Sequence, residues 1–109
     1  MPYSVAPLAL DDLDAIHAFM EEVQGEDAAD AIVDELYNAF DRIGANPGLG
    51  HRRQDLTEFD VYFWTALKWY AVVYRKADPI EADPIEIVRV IPWRRMEPLL
   101  LTPEGGLWM

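Results

Sequence analysis

At 109 residues, about half of them hydrophobic and 12% aromatic, the chain has the composition of one small folded domain and not of a disordered polyelectrolyte. It has no cysteine and only two histidines, His17 and His51, which excludes disulfides, thiolate metal sites and a histidine-built metal centre, so neither a metal nor a cofactor is expected. The net charge of −11 arises in the first two-fifths of the chain: residues 1–41 hold eleven acids and no Lys or Arg, whereas nine bases meet nine acids from Arg42 onward. An acidic side suited to a cationic partner and a mixed side carrying every base are the consequence.

The opening "PYSVAPL" predicts a short strand. It has no basic region followed by a long apolar run, and no stretch reaches membrane-spanning length, so a cytoplasmic address and no membrane partner are expected. In "DDLDAIHAFMEEV" Leu13, Ile16, Met20 and Val23 recur at helical spacing, with Asp11 and Asp14 as a candidate N-terminal cap. A second helix follows, with Ala29, Ile32, Val33, Leu36, Phe40 and Ile43 on one face, Asp27 as its candidate cap, and Gly44 and Pro47 as its stop. Joined by a few residues around Gly25, the two helices form an antiparallel hairpin with the acids on its outer face.

After "ANPGLG" the period changes to that of strands, in "FDVYFW", "KWYAVVYRK" and "IEIVRVI". Trp64, Trp69 and Tyr74 read as core or sheet-face aromatics. In the last run Ile85, Ile87 and Arg89 alternate with Glu86, Val88 and Val90. The fold class is α+β, in the order β-α-α-β-β-β, with the helix hairpin packed on a small, mainly antiparallel sheet. Residues 1–109 are expected to form a single domain, with an apolar tail from about residue 97 that folds back over the sheet.

Between the last two strands the pentapeptide Ala77-Asp78-Pro79-Ile80-Glu81 is repeated as Ala82-Asp83-Pro84-Ile85-Glu86. Ile80 and Ile85 are an odd number of residues apart and would face opposite sides of one strand, so the copies cannot share a role. Pro84 fits the entry to the final strand, and the first copy reads as an enlarged loop.

The order of these segments resembles the RelE/ParE toxin superfamily, closer to the ParE-like plasmid stabilisation branch. "LALDDLDAIHAFM" and "AADAIVDELYNAFDRIGANPGLGHRRQDL" are similar to its two helices, "VYFW", "WYAVVYR" and "IEIVRV" to its strands, and "PWRRM" to its last turn. The resemblance implies the toxin of a type II toxin-antitoxin system, neutralised by a cognate, ParD-like antitoxin. ParE-like members of the superfamily inhibit DNA gyrase; RelE-like members are ribosome-dependent mRNA endoribonucleases. The RelE-like branch tends to place a Tyr or His at the end of the final strand. Here that place reads "VIPWRRM", with Pro92 where a His is frequent and Met96 where an Asp is frequent.

Arginines grip phosphates but are poor proton shuttles, so no catalytic residue is assigned and an inhibitory binding protein is expected in preference to an enzyme. Alternative readings are the RelE-type endoribonuclease and a non-toxic module that binds the antitoxin. Trp93, Arg94 and Arg95, an aromatic followed by two arginines, have the composition of a binding hot spot. With Arg52 and Arg53 they are the candidate target-binding residues. Asp30, Asp34 and Glu35 on the acidic hairpin are the candidate antitoxin-binding residues, and they call for a basic toxin-binding segment in the antitoxin. Direct nucleic-acid binding is not expected of a chain this acidic. Arg89, inside an apolar strand, is expected to be paired and partly buried, and Arg53 and Arg75 to brace the sheet.

Overall fold

A computed structural model describes residues 3–76 and 85–95. In chain order these form strand β1 (Ser4–Val5), helix α1 (Pro7–Gln24), helix α2 (Glu26–Ala45), a 3-10 turn (Pro47–Leu49), strands β2 (Tyr62–Ala66), β3 (Tyr70–Lys76) and β4 (Ile85–Pro92), and a final 3-10 turn (Trp93–Arg95). The four strands make one sheet in the order β1-β4-β3-β2. The hairpins β2–β3 and β3–β4 are antiparallel, while β1 lies parallel to β4, pairing Ser4 with Glu86 and Val5 with Ile87. Fold class and element order are those expected from the sequence. The first copy of the repeated pentapeptide and the apolar tail lie outside the described residues; the second copy's Ile85 and Glu86 open β4, as read.

Both helix starts differ from expectation. α1 begins four residues before Asp11, at Pro7, with Ala6 extended before it and no side-chain cap. Proline is suited to that place, because it needs no donor in the first helical turn and holds the residue before it out of the helix. The Ala6 N–H, still in the strand, bonds the Ile87 carbonyl at 2.9 Å. α2 is started by Gly25 and not by Asp27. Gly25 is the single residue between the helices: its N–H closes α1 on the Glu21 carbonyl and its carbonyl accepts the first bond of α2 from the Ala29 N–H. At φ 95° this conformation belongs to glycine. At the far end α2 runs through Gly44 to Ala45, and Pro47 stops it.

The core is two-sided. Leu13 and Ile16 of α1 and Leu36, Phe40 and Ile43 of α2 pack on Val72, Tyr74, Ile85, Ile87 and Val90 of the sheet. Across the sheet Phe63, Ala71, Val73, Val88 and Ile91 form a second cluster, against which Leu56, Phe59 and Trp93 lean. Val90 thus shares a face with Ile87, against the simple alternation. A bulge between Val73 and Tyr74 explains it: Val73 pairs with Arg89 and Tyr74 with Ile87, so Val88 is the extra residue and the parity changes after it.

Two polar ties hold the layers. Tyr74, on the sheet, donates from its hydroxyl to the Pro47 carbonyl at 2.7 Å and accepts from the Gly50 N–H at 2.8 Å, fixing the exit of α2. Burial pushes the Tyr74 phenol up, which keeps its proton available for Pro47. At Gly50 the reason for glycine is space: a Cβ would stand 2.6 Å from the Tyr74 hydroxyl and 3.0 Å from the Phe63 carbonyl oxygen. On the hairpin, His17 of α1 faces two carboxylates, Nε2 at 2.8 Å from Asp30 of α2 and Nδ1 at 3.5 Å from Glu21. A neutral ring has one N–H and can satisfy only one of them; the imidazolium satisfies both. The hydrogen bond to Asp30 raises the His17 pKa, desolvation opposes it, and the charges of Asp30, Glu21 and Glu26 add to the rise.

Gly50→Ala should therefore destabilise by about 1–3 kcal/mol through overpacking, and Tyr74→Phe by about 1–3 kcal/mol by leaving the Gly50 N–H without an acceptor, both read from urea unfolding. His17 makes a signed claim: its folded pKa lies above the ordinary value of 6.5, so its stabilisation is full below that value and is lost as the pH rises through the raised one. The thermal midpoint of the wild type, compared with His17→Gln between about pH 5.5 and 8.5, should show its largest advantage at the acidic end. A difference that is flat with pH would remove the imidazolium from the hairpin.

Candidate functional site

A concavity lies where α1, the tip of the β2–β3 hairpin and the end of β4 converge. It is a groove of about 420 Å³. One wall is α1, with Asp12, Ile16, Phe19 and Met20; the other is the hairpin tip, with Lys68, Trp69 and Tyr70. Arg89 to Pro92 form the floor, and the turn Trp93–Arg95 closes one end.

The hairpin tip has an uncommon backbone. Ala66 pairs with Tyr70, and between them Leu67 and Lys68 both take the left-handed conformation, at φ 56° and 69°. For side chains other than glycine this costs roughly 1–2 kcal/mol each. The tip is tied to the last turn by the Trp93 N–H, which bonds the Trp69 carbonyl at 2.9 Å. The Trp69 side chain consequently stands out at 70% exposure. It is not a core aromatic, as its place in a strand-like run implied. Phe19, 46% exposed on the facing helix, carries the Arg94 guanidinium over its ring at 5.8 Å.

Where the α1 wall meets the floor, Asp12 accepts three bonds. Its carboxylate accepts from Arg89 Nε at 2.8 Å and Nη2 at 3.0 Å, and from the backbone N–H of Val90 at 2.9 Å. A charge-assisted bidentate pair, with both side chains at least four-fifths buried, thus joins α1 to β4. The pairing expected for Arg89 is present, and its partner is one the sequence reading passed over.

Of the candidate target-binding residues the groove brings together Trp93, Arg94 and Arg95. Trp93 is half-buried: its indole N–H donates to the Thr65 hydroxyl at 3.0 Å and its ring lies near that of Phe63. Arg94 and Arg95 are exposed. Arg52 and Arg53 are not in the lining. Arg53 binds Asp55 through Nε and Nη2 at 2.9 and 2.8 Å while its guanidinium covers the Trp93 ring at 5.6 Å, and Arg52 lies 3.6 Å from Asp60. The hydrogen bond between Arg53 and Asp55 raises the pKa of the one and lowers that of the other. Arg75 braces β3 on Glu86 of β4 at 2.7 Å. On the hairpin Asp30 is held by His17, whereas Asp34 and Glu35 are exposed on α2.

The strand and loop arginines are thus neutralised in place, while Lys68, Arg94 and Arg95, which rim the groove, have no carboxylate partner among the described residues. Apolar walls under a cationic rim suit the site to binding. Sequence reasoning missed Asp12, Phe19, Lys68 and Trp69. A signal for the first two exists: Asp12, Ile16 and Phe19 follow helical spacing, so a carboxylate and an extra phenylalanine share the α1 face that turns toward the sheet end.

Residues 3–97 match the family described as the ParE toxin of type II toxin-antitoxin system, parDE. No curated protein matches the chain. Among solved structures it is similar to the chromosomal ParDE TA system from P. aeruginosa, at 23% sequence identity and a TM-score of 0.67, with 84% of this chain and 95% of that chain covered. At that identity the likeness is one of fold.

Because Asp12 is nearly enclosed, Asp12→Asn should cost about 2–4 kcal/mol by leaving Arg89 with no counter-charge. Replacing both Asp12 and Arg89 by leucine should cost less than the sum of the two single leucine changes, with a coupling of about 1–3 kcal/mol in urea unfolding. Additivity within about 0.5 kcal/mol would mean that the pair does not tie helix to sheet.

Proposed function

This chain belongs to the ParE toxin family of type II toxin-antitoxin systems, and from that premise we propose that it is an inhibitory binding protein with DNA gyrase as its target and a cognate antitoxin as its silencer. The proposed setting is plasmid stabilisation in the cytoplasm. The observation that carries the binding reading is the distribution of its cations. The arginines on strands β3 and β4 and in the loop after α2 are engaged by carboxylates, and of the five bases that remain, three, Lys68, Arg94 and Arg95, gather around one apolar groove, while Arg42 and Lys76 lie elsewhere.

A ribonuclease would need a general base, a general acid and cations on the phosphate. The groove's carboxylate is committed to Arg89 and Val90, and the exposed His51 sits on the far edge of the sheet, bridged through its backbone to Phe63. The division of charge suggests a division of labour. The acidic outer surface of α2, with Asp30, Asp34 and Glu35, is the antitoxin's electrostatic landing site and takes a basic segment. The basic-rimmed groove with Trp93, Arg94 and Arg95 is the target's.

Supercoiling by purified gyrase is the measurement. The wild type should inhibit it, and the double change Arg94→Ala with Arg95→Ala should weaken inhibition about tenfold or more, the scale of a lost hot spot, with antitoxin affinity nearly unchanged. Asp34→Asn with Glu35→Gln should slow antitoxin association at low salt and leave gyrase inhibition alone. Ribosome-dependent cut sites in transcripts, with gyrase untouched, would replace this reading by the endoribonuclease.

A further inference from the structure

The outer end of the helix hairpin has little apolar packing to hold it. The last buried side chain of α1 is Ile16 and the first of α2 is Ala29, and residues 21–27 are all exposed. Gly25, the single residue between the helices, turns in open space, with nothing within 4 Å of where a Cβ would stand. About two turns of α1 and the first turn of α2 thus project beyond the core. A segment of this kind can open by itself while the remainder stays folded.

Charge at this end is unbalanced. Glu21, Glu22, Glu26, Asp27 and Asp30 crowd it, and residues 1–41 contain no Lys or Arg. Glu26 and Asp27 suit the first turn of α2, but Glu21 and Glu22 lie in the last turn of α1, where the helix dipole already presents negative charge. His17 is the group that answers them. Its Nε2 lies 2.8 Å from Asp30 across the hairpin and its Nδ1 lies 3.5 Å from Glu21 on its own helix, while Glu26, at the head of α2, adds its field. Arg94 also reaches this stretch, over the Phe19 ring at 5.8 Å. Phe19, however, is two residues on from His17 and so about 200° round the helix, on the groove side.

We propose that residues 17–30 form a proton-operated latch: the His17 imidazolium, bridging Asp30 and Glu21, holds the end of the hairpin shut, and its deprotonation lets that end open locally with the sheet intact. The groove feels the change, because Phe19 and Met20 of its α1 wall stand on the latched segment. The sign follows from the ring's partners. They raise the His17 pKa above its ordinary value of 6.5, so the latch is fully shut below that value and is released as the pH rises through the raised one.

The test is amide hydrogen exchange of the full chain, followed residue by residue by NMR from about pH 5.5 to 8.5 and corrected for the intrinsic pH dependence of exchange. The His17 ring is titrated in the same samples. Protection of the amides of residues 18–24, and of Ala29 and Asp30, should fall about threefold or more across the range, with its midpoint at the ring's own pKa. Linkage fixes the size of the loss at one decade for each pH unit by which that pKa exceeds 6.5. The amides of Val72 and Val73, on the central strand β3, should not follow. His17→Gln should leave the latch poorly protected at every pH, and His17→Arg, which keeps its charge throughout, should leave it protected at every pH. Protection that does not move with pH in the wild type, a loss shared equally by Val72 and Val73, a midpoint away from the ring's titration, or a pH dependence that survives in both variants would each overturn the latch.

Discussion

The structure depends most on one carboxylate. Asp12 lies on the first helix, and the groups it binds lie 77 and 78 residues later, on the last strand. β1 is only two residues long and cannot cover the edge of β4 beyond Ile87. The carboxylate therefore completes the ladder where the strand stops, giving the Val90 N–H an acceptor that a third residue of β1 would otherwise have supplied. In the same act it neutralises Arg89, whose place in an apolar strand would be costly without a counter-charge. Helix position, sheet edge and groove floor are thus set by three hydrogen bonds to one side chain.

A second consequence is electrostatic. Pairing Arg89 with Asp12, Arg53 with Asp55, Arg52 with Asp60 and Arg75 with Glu86 takes four of the nine bases out of the long-range field. The hairpin's acids remain on one side and the groove's cations on another. For a protein of net charge −11 this lets a small cationic surface persist locally, since screening confines its reach to about 8–10 Å. Surfaces of opposite sign therefore lie on different faces of the molecule.

Much of the fold was legible because it is written in local periodicity. The stripes Leu13-Ile16 and Leu36-Phe40-Ile43, and the β-branched runs around Val72 and Ile87, each report a buried face without reference to the rest of the chain. What was not legible depends on partners distant in sequence. A two-residue parallel strand has too little pattern to reveal its neighbour, and the bulge at Val88 exists only against Val73 and Tyr74, so the face of Val90 was read the wrong way. The helix caps were assigned to acids because Asp is a good cap in isolation, whereas Pro7 and Gly25 decide the starts through backbone geometry. The site was half visible. Trp93, Arg94 and Arg95 stand out by composition, but Trp69 sits in a run that reads as strand, and a reversal built on Leu67-Lys68 lacks the glycine or asparagine that marks such turns.

The pairing of β1 with β4 also bears on how the protein is made. Synthesis proceeds from the N-terminus, so the first strand and Asp12 leave the ribosome long before their partners exist. At about 5–20 residues per second, the 77 residues between Asp12 and Arg89 represent on the order of 4–15 s. Throughout that interval the helix hairpin can form from local contacts, but the groove cannot, because its floor is the strand made last. The acidic face is thus available to a partner while the chain is still being translated, and the binding groove is assembled only afterwards. The order of the strands thus gives the hairpin's acidic face a head start over the groove.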